Sequence, residues 1–131
     1  MKKIEVLGEK LGPVLFQLPP KWHFNIERLQ SFLKALPEDF KYAFEFRDSS
    51  WFDEKTEEAL ASKNAAFCIY DFEGRQSPRT ATADFVYIRL HGPDGAYRGQ
   101  YDDAALSDWA GAISEWESQK KEVYCYLSVY I

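Results

Sequence analysis

The chain is 131 residues long, 46% hydrophobic and 17% aromatic, and its 16 Lys and Arg against 21 Asp and Glu give a formal net charge of −5. This length fits one domain, and the apolar content excludes a disordered chain. The negative charge argues against a nucleic-acid binder, which needs a concentrated positive face, and no apolar run approaches the roughly 20 residues of a membrane-spanning helix.

The two cysteines, Cys68 and Cys125, fit neither a disulfide framework nor the spacing of a four-ligand zinc site. Both lie in apolar, strand-like runs, so we expect them to be reduced core residues. The first residues of the chain lack a signal-peptide core. These features together predict a cytoplasmic protein.

In the first half of the chain, strand-like and helix-like patterns alternate. Residues 13–18 are an apolar run stopped by two prolines, which predicts a buried strand. Asn25 can cap a helix with apolar residues at helical spacing, which Pro37 ends. Residues 41–46 alternate as a second strand, and Asp53 can cap a second helix.

The second half continues the alternation. Residues 65–72 and 85–90 predict two further strands, separated by a polar segment that we interpret as a loop. The longest predicted helix follows a turn-rich loop and starts near Asp102 or Asp103, with apolar residues along one face. Residues 122–130 predict a fifth strand. The order β-α-β-α-β-loop-β-α-β favours an α/β fold with a mostly parallel sheet and three to four helices outside it.

The ends of the chain suggest an incomplete domain. Residues 3–10 resemble the end of a further helix, and the last strand is followed by no covering helix. A closed (βα)₈ barrel takes about 250 residues, so about half a barrel is expected here. Its open edges at residues 14–18 and 123–129 predict self-association with other chains.

Polar side chains gather near the carboxyl ends of four successive predicted strands, where active sites of parallel α/β sheets lie. They are Gln17, Glu45, Arg47, Asp71, Arg89 and His91. One interpretation is a structural ion-pair layer, because buried charges must be paired. We favour a ligand site, because apolar residues would fill the interior at lower cost.

In such a site Arg47 and Arg89 would hold an anion as bidentate forks. Glu45 would be the general acid or base, with His91 as its catalytic proton partner. The remaining substrate-binding candidates are Gln17, Asp71, Trp51 and Tyr97. Trp51 directly follows the second strand and would either wall the pocket or pack in the core.

A metal site built from His91, Glu45, Asp71 and Asp48 is chemically conceivable, since imidazole and carboxylates suit Zn²⁺ or Mn²⁺. The sequence has no paired-histidine or Cys-x-x-Cys spacing, and it has no nucleotide-binding fingerprint. We therefore assign no metal, and the sequence indicates no particular cofactor.

Several motifs occur in order over most of the chain. They are KLGPVLFQLPP at residues 10–20, YAFEFR at residues 42–47 followed by SWF, TADFVYIRLHG at residues 82–92, Tyr97-x-Gly99-x-Tyr101, and Leu106-x-x-Trp109-Ala110. With these motifs the chain resembles the YecE-like family, called domain of unknown function 72. The resemblance implies a TIM-type (βα)₈ barrel of which residues 1–131 would be a single incomplete domain supplying strands four to eight.

Two positions depart from the family pattern. Asp48 stands where the family usually has a histidine, so no histidine-dependent step is expected there. The family's Phe-Asn-Asn-Asp-like segment and closing helix do not follow Tyr126, which suggests a truncated carboxyl end.

The family has no settled activity, so three functions stay open. The first is an enzyme that isomerises or hydrolyses a small polar or anionic compound, such as a sugar or a phosphorylated molecule. The second is a non-catalytic module that binds such a ligand. The third is an inactive, truncated half barrel. None of the three involves nucleic acid or a membrane.

Overall fold

The computed structural model of the chain describes residues 12–72, 75–91 and 101–127. Its elements, in chain order, are β1 (Val14–Leu18), α1 (Ile26–Ala35), β2 (Tyr42–Phe46), a 3₁₀ turn (Ser49–Trp51), α2 (Glu54–Ser62), β3 (Ala66–Phe72), β4 (Arg75–Gln76), β5 (Phe85–Leu90), α3 (Asp103–Ser118) and β6 (Glu122–Leu127). No helix within these ranges is both long and apolar enough to cross a membrane. The helix expected at residues 3–10 lies outside the described residues.

Five strands form one parallel sheet in the order β1-β2-β3-β5-β6. This confirms the predicted α/β fold with its parallel strands. The prediction that the polar segment after β3 is a loop throughout is wrong, because it contains the short strand β4. The chain turns back after Phe72, so that Arg75 pairs with Phe72 and Gln76 with Asp71 in a short antiparallel hairpin.

Each helix begins where the sequence places a side-chain cap. The Asn25 side chain accepts a hydrogen bond from the backbone N–H of Arg28 at 3.1 Å. Asp53 and Asp102 do the same for α2 and α3, at 2.8 Å and 2.7 Å. Because each cap satisfies an N–H that the first helical turn leaves unpaired, these three residues fix the starts of the helices.

The two faces of the sheet pack differently. On the convex face, Phe44 and Phe46 of β2 join the apolar sides of α1 and α2 in the largest buried cluster. On the concave face, Ala43, Cys68 and Phe85 belong to a smaller cluster, and its members among the described residues come from strands and the loop before β5. Alternate residues of each strand therefore belong either to the core between the sheet and the helices or to the concave face of the sheet, as the sequence predicted.

The sheet curls so strongly that distant strands meet across its concave face. The Lys41 Nζ, just before β2, lies 3.2 Å from Glu122 Oε1 on β6, three strands away. Gly12 precedes β1, and a Cβ at this position would lie 3.1 Å from the Tyr126 hydroxyl on β6. A side chain there would displace the tyrosine, so glycine permits this close approach. The amino-terminal end of the concave face is therefore narrow.

Candidate functional site

The carboxylate of Glu45 is the centre of a polar cluster on the concave face. Glu45 lies on β2 and is fully buried. Its Oε2 accepts hydrogen bonds from Gln17 Nε2 at 3.1 Å and Arg47 Nε at 2.9 Å. Its Oε1 accepts one from Arg89 Nη1 at 3.0 Å. Side chains from three strands or strand ends thus converge on one carboxylate.

Two further groups close the cluster from β3 and β5. The His91 Nε2 lies 3.7 Å from Glu45 Oε1, and the imidazole is fully buried against the ring of Phe72. The Cys68 thiol lies 3.6 Å from the same oxygen. Burial and the nearby carboxylate raise the pKa of Cys68 well above its usual value, so this cysteine stays a neutral thiol.

The charge state of Glu45 follows from its neighbours. Burial alone would raise its pKa, but the neighbouring His91 imidazole and the charges of Arg47 and Arg89 outweigh burial and lower the pKa to about 2. Glu45 is therefore ionised throughout the physiological pH range. A carboxylate with so low a pKa is a weak base.

Both arginine side chains are mostly buried, but a part of each remains exposed to solvent. Their side chains are 22% exposed for Arg47 and 16% exposed for Arg89. The Arg47 guanidinium stacks over Phe72 at 4.5 Å and Tyr70 at 5.2 Å. Within the described part of the chain, only the Arg47 Nε and the Arg89 Nη1 have a hydrogen-bond acceptor. The other guanidinium N–H groups of these two arginines have no acceptor among residues 12–72, 75–91 and 101–127.

The structure thus brings together five of the sequence-predicted site residues, which are Gln17, Glu45, Arg47, Arg89 and His91. It does not bring Asp71 into this cluster. Asp71 alternates with Tyr70 along β3, so it lies on the convex face beside Leu90. Burial raises the pKa of Asp71, while hydrogen bonds with Gln76 and Tyr101 oppose that rise.

Trp51 also lies away from the cluster. Its ring is buried on the helix-packed side, stacked 4.9 Å from Phe46, and its indole N–H donates to the Trp22 carbonyl at 2.8 Å. Of the two roles considered for Trp51, the structure shows packing. Tyr97, the remaining sequence-predicted binding residue, lies outside the described residues.

A separate apolar groove of about 450 Å³ opens between β1 and α1 on the convex side. Its lining includes Phe16, Trp22, Phe32 and Trp51. Trp22 is 51% exposed and Phe32 42% exposed, which is unusual for side chains of this size. This groove contains none of the charged side chains that surround Glu45.

Sequence reasoning missed the part played by Tyr126. On the concave face the ring of Tyr126 lies 5.3 Å from that of Tyr87. The alternation of Glu122, Tyr124 and Tyr126 in the last strand carries this signal, because alternate residues share one face. Within the described ranges, the cluster around Glu45 included, no three His, Cys, Asp or Glu side chains are grouped closely enough to hold a metal ion.

Comparisons with known proteins agree with this architecture. The family model described as "Protein of unknown function DUF72" matches residues 1–129. The crystal structure of a DUF72 family protein from Thermotoga maritima superposes with a TM-score of 0.83 at 26% identity, covering 97% of this chain and 55% of that one. A DUF72 family protein from Enterococcus faecalis gives 0.77 at 17% identity, covering 99% and 59%.

The chain therefore spans 55% and 59% of the length of these two solved proteins. No curated protein matches the chain. The similarity supports the TIM-barrel-like α/β fold, and it brings no substrate with it.

Proposed function

The chain belongs to the DUF72 family of proteins of unknown function, and from that premise we propose that it binds a small anionic ligand on the concave face, at Arg47 and Arg89. One observation carries the proposal. A buried Glu45, ionised at physiological pH, holds both guanidinium groups in place while using one nitrogen of each. The two guanidinium groups are therefore pre-positioned to donate hydrogen bonds to an anion.

The charge of the cluster supports an anion over a cation or a neutral ligand. Arg47 and Arg89 contribute two positive charges and Glu45 one negative charge, so the ion-pair group has a net charge of +1. A positive group of low exposure is poorly solvated, and an anion would replace the missing solvation. A ligand with one negative charge would leave the cluster neutral.

Binding without turnover is favoured over catalysis. The low pKa of Glu45 makes it a weak general base, since proton transfer is efficient when the pKa lies near the working pH. His91 is also fully buried, with its Nε2 3.7 Å from the Glu45 carboxylate.

An enzyme that uses Glu45 and His91 is the second candidate, because a proton relay would form if ligand binding closed their 3.7 Å separation to hydrogen-bond distance. A bell-shaped pH dependence of turnover on a sugar or phosphorylated compound would favour this candidate.

We also propose that these strands correspond to strands four to eight of a (βα)₈ barrel, and that the edge of β1 associates with a second copy of the chain. Within the described residues β1 pairs only with β2. Its outer edge adjoins the apolar groove at Trp22 and Phe32. Edge strands beside apolar surface pair readily with other chains.

Thermal shift tests the ligand proposal. The full chain is melted with increasing acetate or inorganic phosphate, with and without Mg²⁺ or Mn²⁺, at constant ionic strength. Binding to the native state raises the melting temperature in proportion to ln(1 + [L]/Kd). We expect the wild type to follow this logarithmic rise and Arg47→Lys, which keeps the charge but not the fork, to lose it. Arg75→Lys, on an exposed position, is the matched control. Equal shifts in both variants would contradict the proposal.

A further inference from the structure

An exposed aromatic ring lies on the concave face next to the arginine cluster. Tyr126 is 44% exposed, whereas its neighbour Tyr87 is buried. The two ring centroids are 5.3 Å apart with their planes inclined at 38°. Tyr87 therefore supports the Tyr126 ring from one side, and the exposed part of the ring is available for contact.

The strand register fixes Tyr126 relative to Arg89. In the parallel pairing of β5 with β6, Arg89 stands opposite Tyr126, and Tyr87 opposite Tyr124. Paired residues of neighbouring parallel strands project on the same face, so the Cα atom of Tyr126 lies beside that of Arg89 and both side chains project from the concave face. Its ring contacts Tyr87, two residues before Arg89, and its hydroxyl approaches Gly12. The ring thus lies on the amino-terminal side of the guanidinium cluster.

The spacing of these groups defines a ligand shape. Residues two apart on one face of a strand are separated by about 6.6 Å, which is the distance from the Tyr87 level to the Arg89 level. A carboxylate attached directly to a six-membered ring spans a similar length. Its charge would neutralise the net charge of +1 of the cluster while its ring lies on Tyr126.

We propose that Tyr126 is the ring-binding residue of this site and that the ligand is a carboxylate carried on a six-membered ring. Sugar acids and aromatic acids share this chemistry, because both present a flat apolar face that packs on a tyrosine ring. The inference rests on the proposed anion site and adds the part of the ligand that the arginines do not recognise.

Three probes separate the two halves of the site. Acetate carries the charge alone, benzoate adds an aromatic ring, and glucuronate adds a sugar ring. Dissociation constants are measured by calorimetric or NMR titration for the wild type, Tyr126→Ala and Tyr126→Phe. Leu106→Ala, which alters an apolar side chain on α3 with the same exposure as Tyr126, 44%, is the matched control.

We expect benzoate or glucuronate to bind the wild type about tenfold more tightly than acetate. Tyr126→Ala should remove this advantage and leave acetate binding within about twofold, whereas Tyr126→Phe and Leu106→Ala should keep it. The tighter of the two ring probes distinguishes an aromatic acid from a sugar acid. If Tyr126→Ala does not fold, Tyr126→Leu offers apolar bulk without a flat face and should give the same result.

The contradicting results differ for the two proposals. If none of the probes binds the wild type, the anion site itself is wrong and this inference falls with it. If acetate binds and the ring probes bind no more tightly, or keep their advantage in Tyr126→Ala and Tyr126→Leu, only the role of Tyr126 is overturned.

Discussion

At the scale of single residues, Glu45 organises the interior of this protein. Its carboxylate carries no exposed surface, and its neighbours hold its pKa at about 2. A buried charge is tolerated only when it is paired, and here Arg47 and Arg89 supply the pairing from two strand positions. Removing one of these three side chains should therefore lower the free energy of unfolding by more than the loss of its own hydrogen bonds, because the remaining charges stay buried without a partner.

Arg89→Ala tests this dependence. The substitution leaves a buried carboxylate with one cationic partner fewer, and breaking a buried ion pair typically costs about 3–5 kcal/mol of unfolding free energy. Arg75→Ala changes an exposed residue and should stay within about 0.5 kcal/mol. Denaturant unfolding of the two variants measures both values. Equal losses would show that Arg89 is well solvated and outside any buried network.

Acid should weaken the fold through Glu45. The pKa of Glu45 falls from 4.5 in the unfolded chain to about 2 in the folded protein. The ionised carboxylate therefore adds its full contribution to the free energy of unfolding above pH 4.5, and this contribution is lost as the pH falls toward 2. The full effect is about 3 kcal/mol, and about 2 kcal/mol of it should be lost between pH 6 and pH 3.

Glu45→Gln cannot ionise and serves as the reference. Its unfolding free energy should fall by about 2 kcal/mol less than that of the wild type between pH 6 and pH 3. Parallel pH profiles for the two proteins would mean that Glu45 does not titrate anomalously.

At the scale of elements, alternation was the reliable signal. It correctly placed Glu45, Arg47, Arg89 and His91 on one face, because a strand with one helix-packed side fixes which residues turn inward. The predicted place of Asp71 in the cluster is wrong because its position along β3 turns its side chain to the convex face, although it lies near the strand's carboxyl end. The hairpin at Arg75–Gln76 escaped because a two-residue strand has no periodicity to detect.

Contacts between elements distant in sequence were beyond prediction for a different reason. The approach of Lys41 to Glu122 depends on how far the sheet curls, and no local pattern encodes that curvature. The same holds for the exposure of Tyr126, which is decided by the strands that surround it. Periodicity predicts which face a side chain occupies, while its neighbours depend on the tertiary arrangement.

The start of β3 depends on one hydroxyl from a loop. Thr82 Oγ1 accepts a hydrogen bond from the Phe67 N–H at 2.9 Å and donates one to the Ala65 carbonyl at 2.7 Å. Thr82→Val keeps the shape but leaves both backbone groups without this partner, so we expect a loss of about 1–3 kcal/mol. Thr82→Ser retains the hydroxyl and should lose less. Denaturant midpoints of the two variants decide the point, and a larger loss for serine would contradict it.

At the scale of the whole molecule, association follows from the surface beside β1. The edge of this strand and the exposed rings of Trp22 and Phe32 form a continuous apolar region, and the described residues offer it no further strand. Two copies could bury these regions against each other by a two-fold contact.

Light scattering across a dilution series tests the association. The mass should fall toward that of one chain on dilution, and Trp22→Ser should shift this transition to higher protein concentration. Leu106→Ser alters a side chain of similar exposure, 44%, on α3 and should not shift it. A concentration-independent monomer in the wild type would refute the association.

The central claim is that Arg47 and Arg89, held by Glu45, bind an anion. The most direct test is an NMR titration that follows the side-chain Nε–H signals of individual arginines as acetate is added at constant ionic strength. We predict that the signals of Arg47 and Arg89 shift together and saturate, while that of the exposed Arg75 does not. Unchanged Arg47 and Arg89 signals, or equal and unsaturable shifts of all three, would contradict the claim.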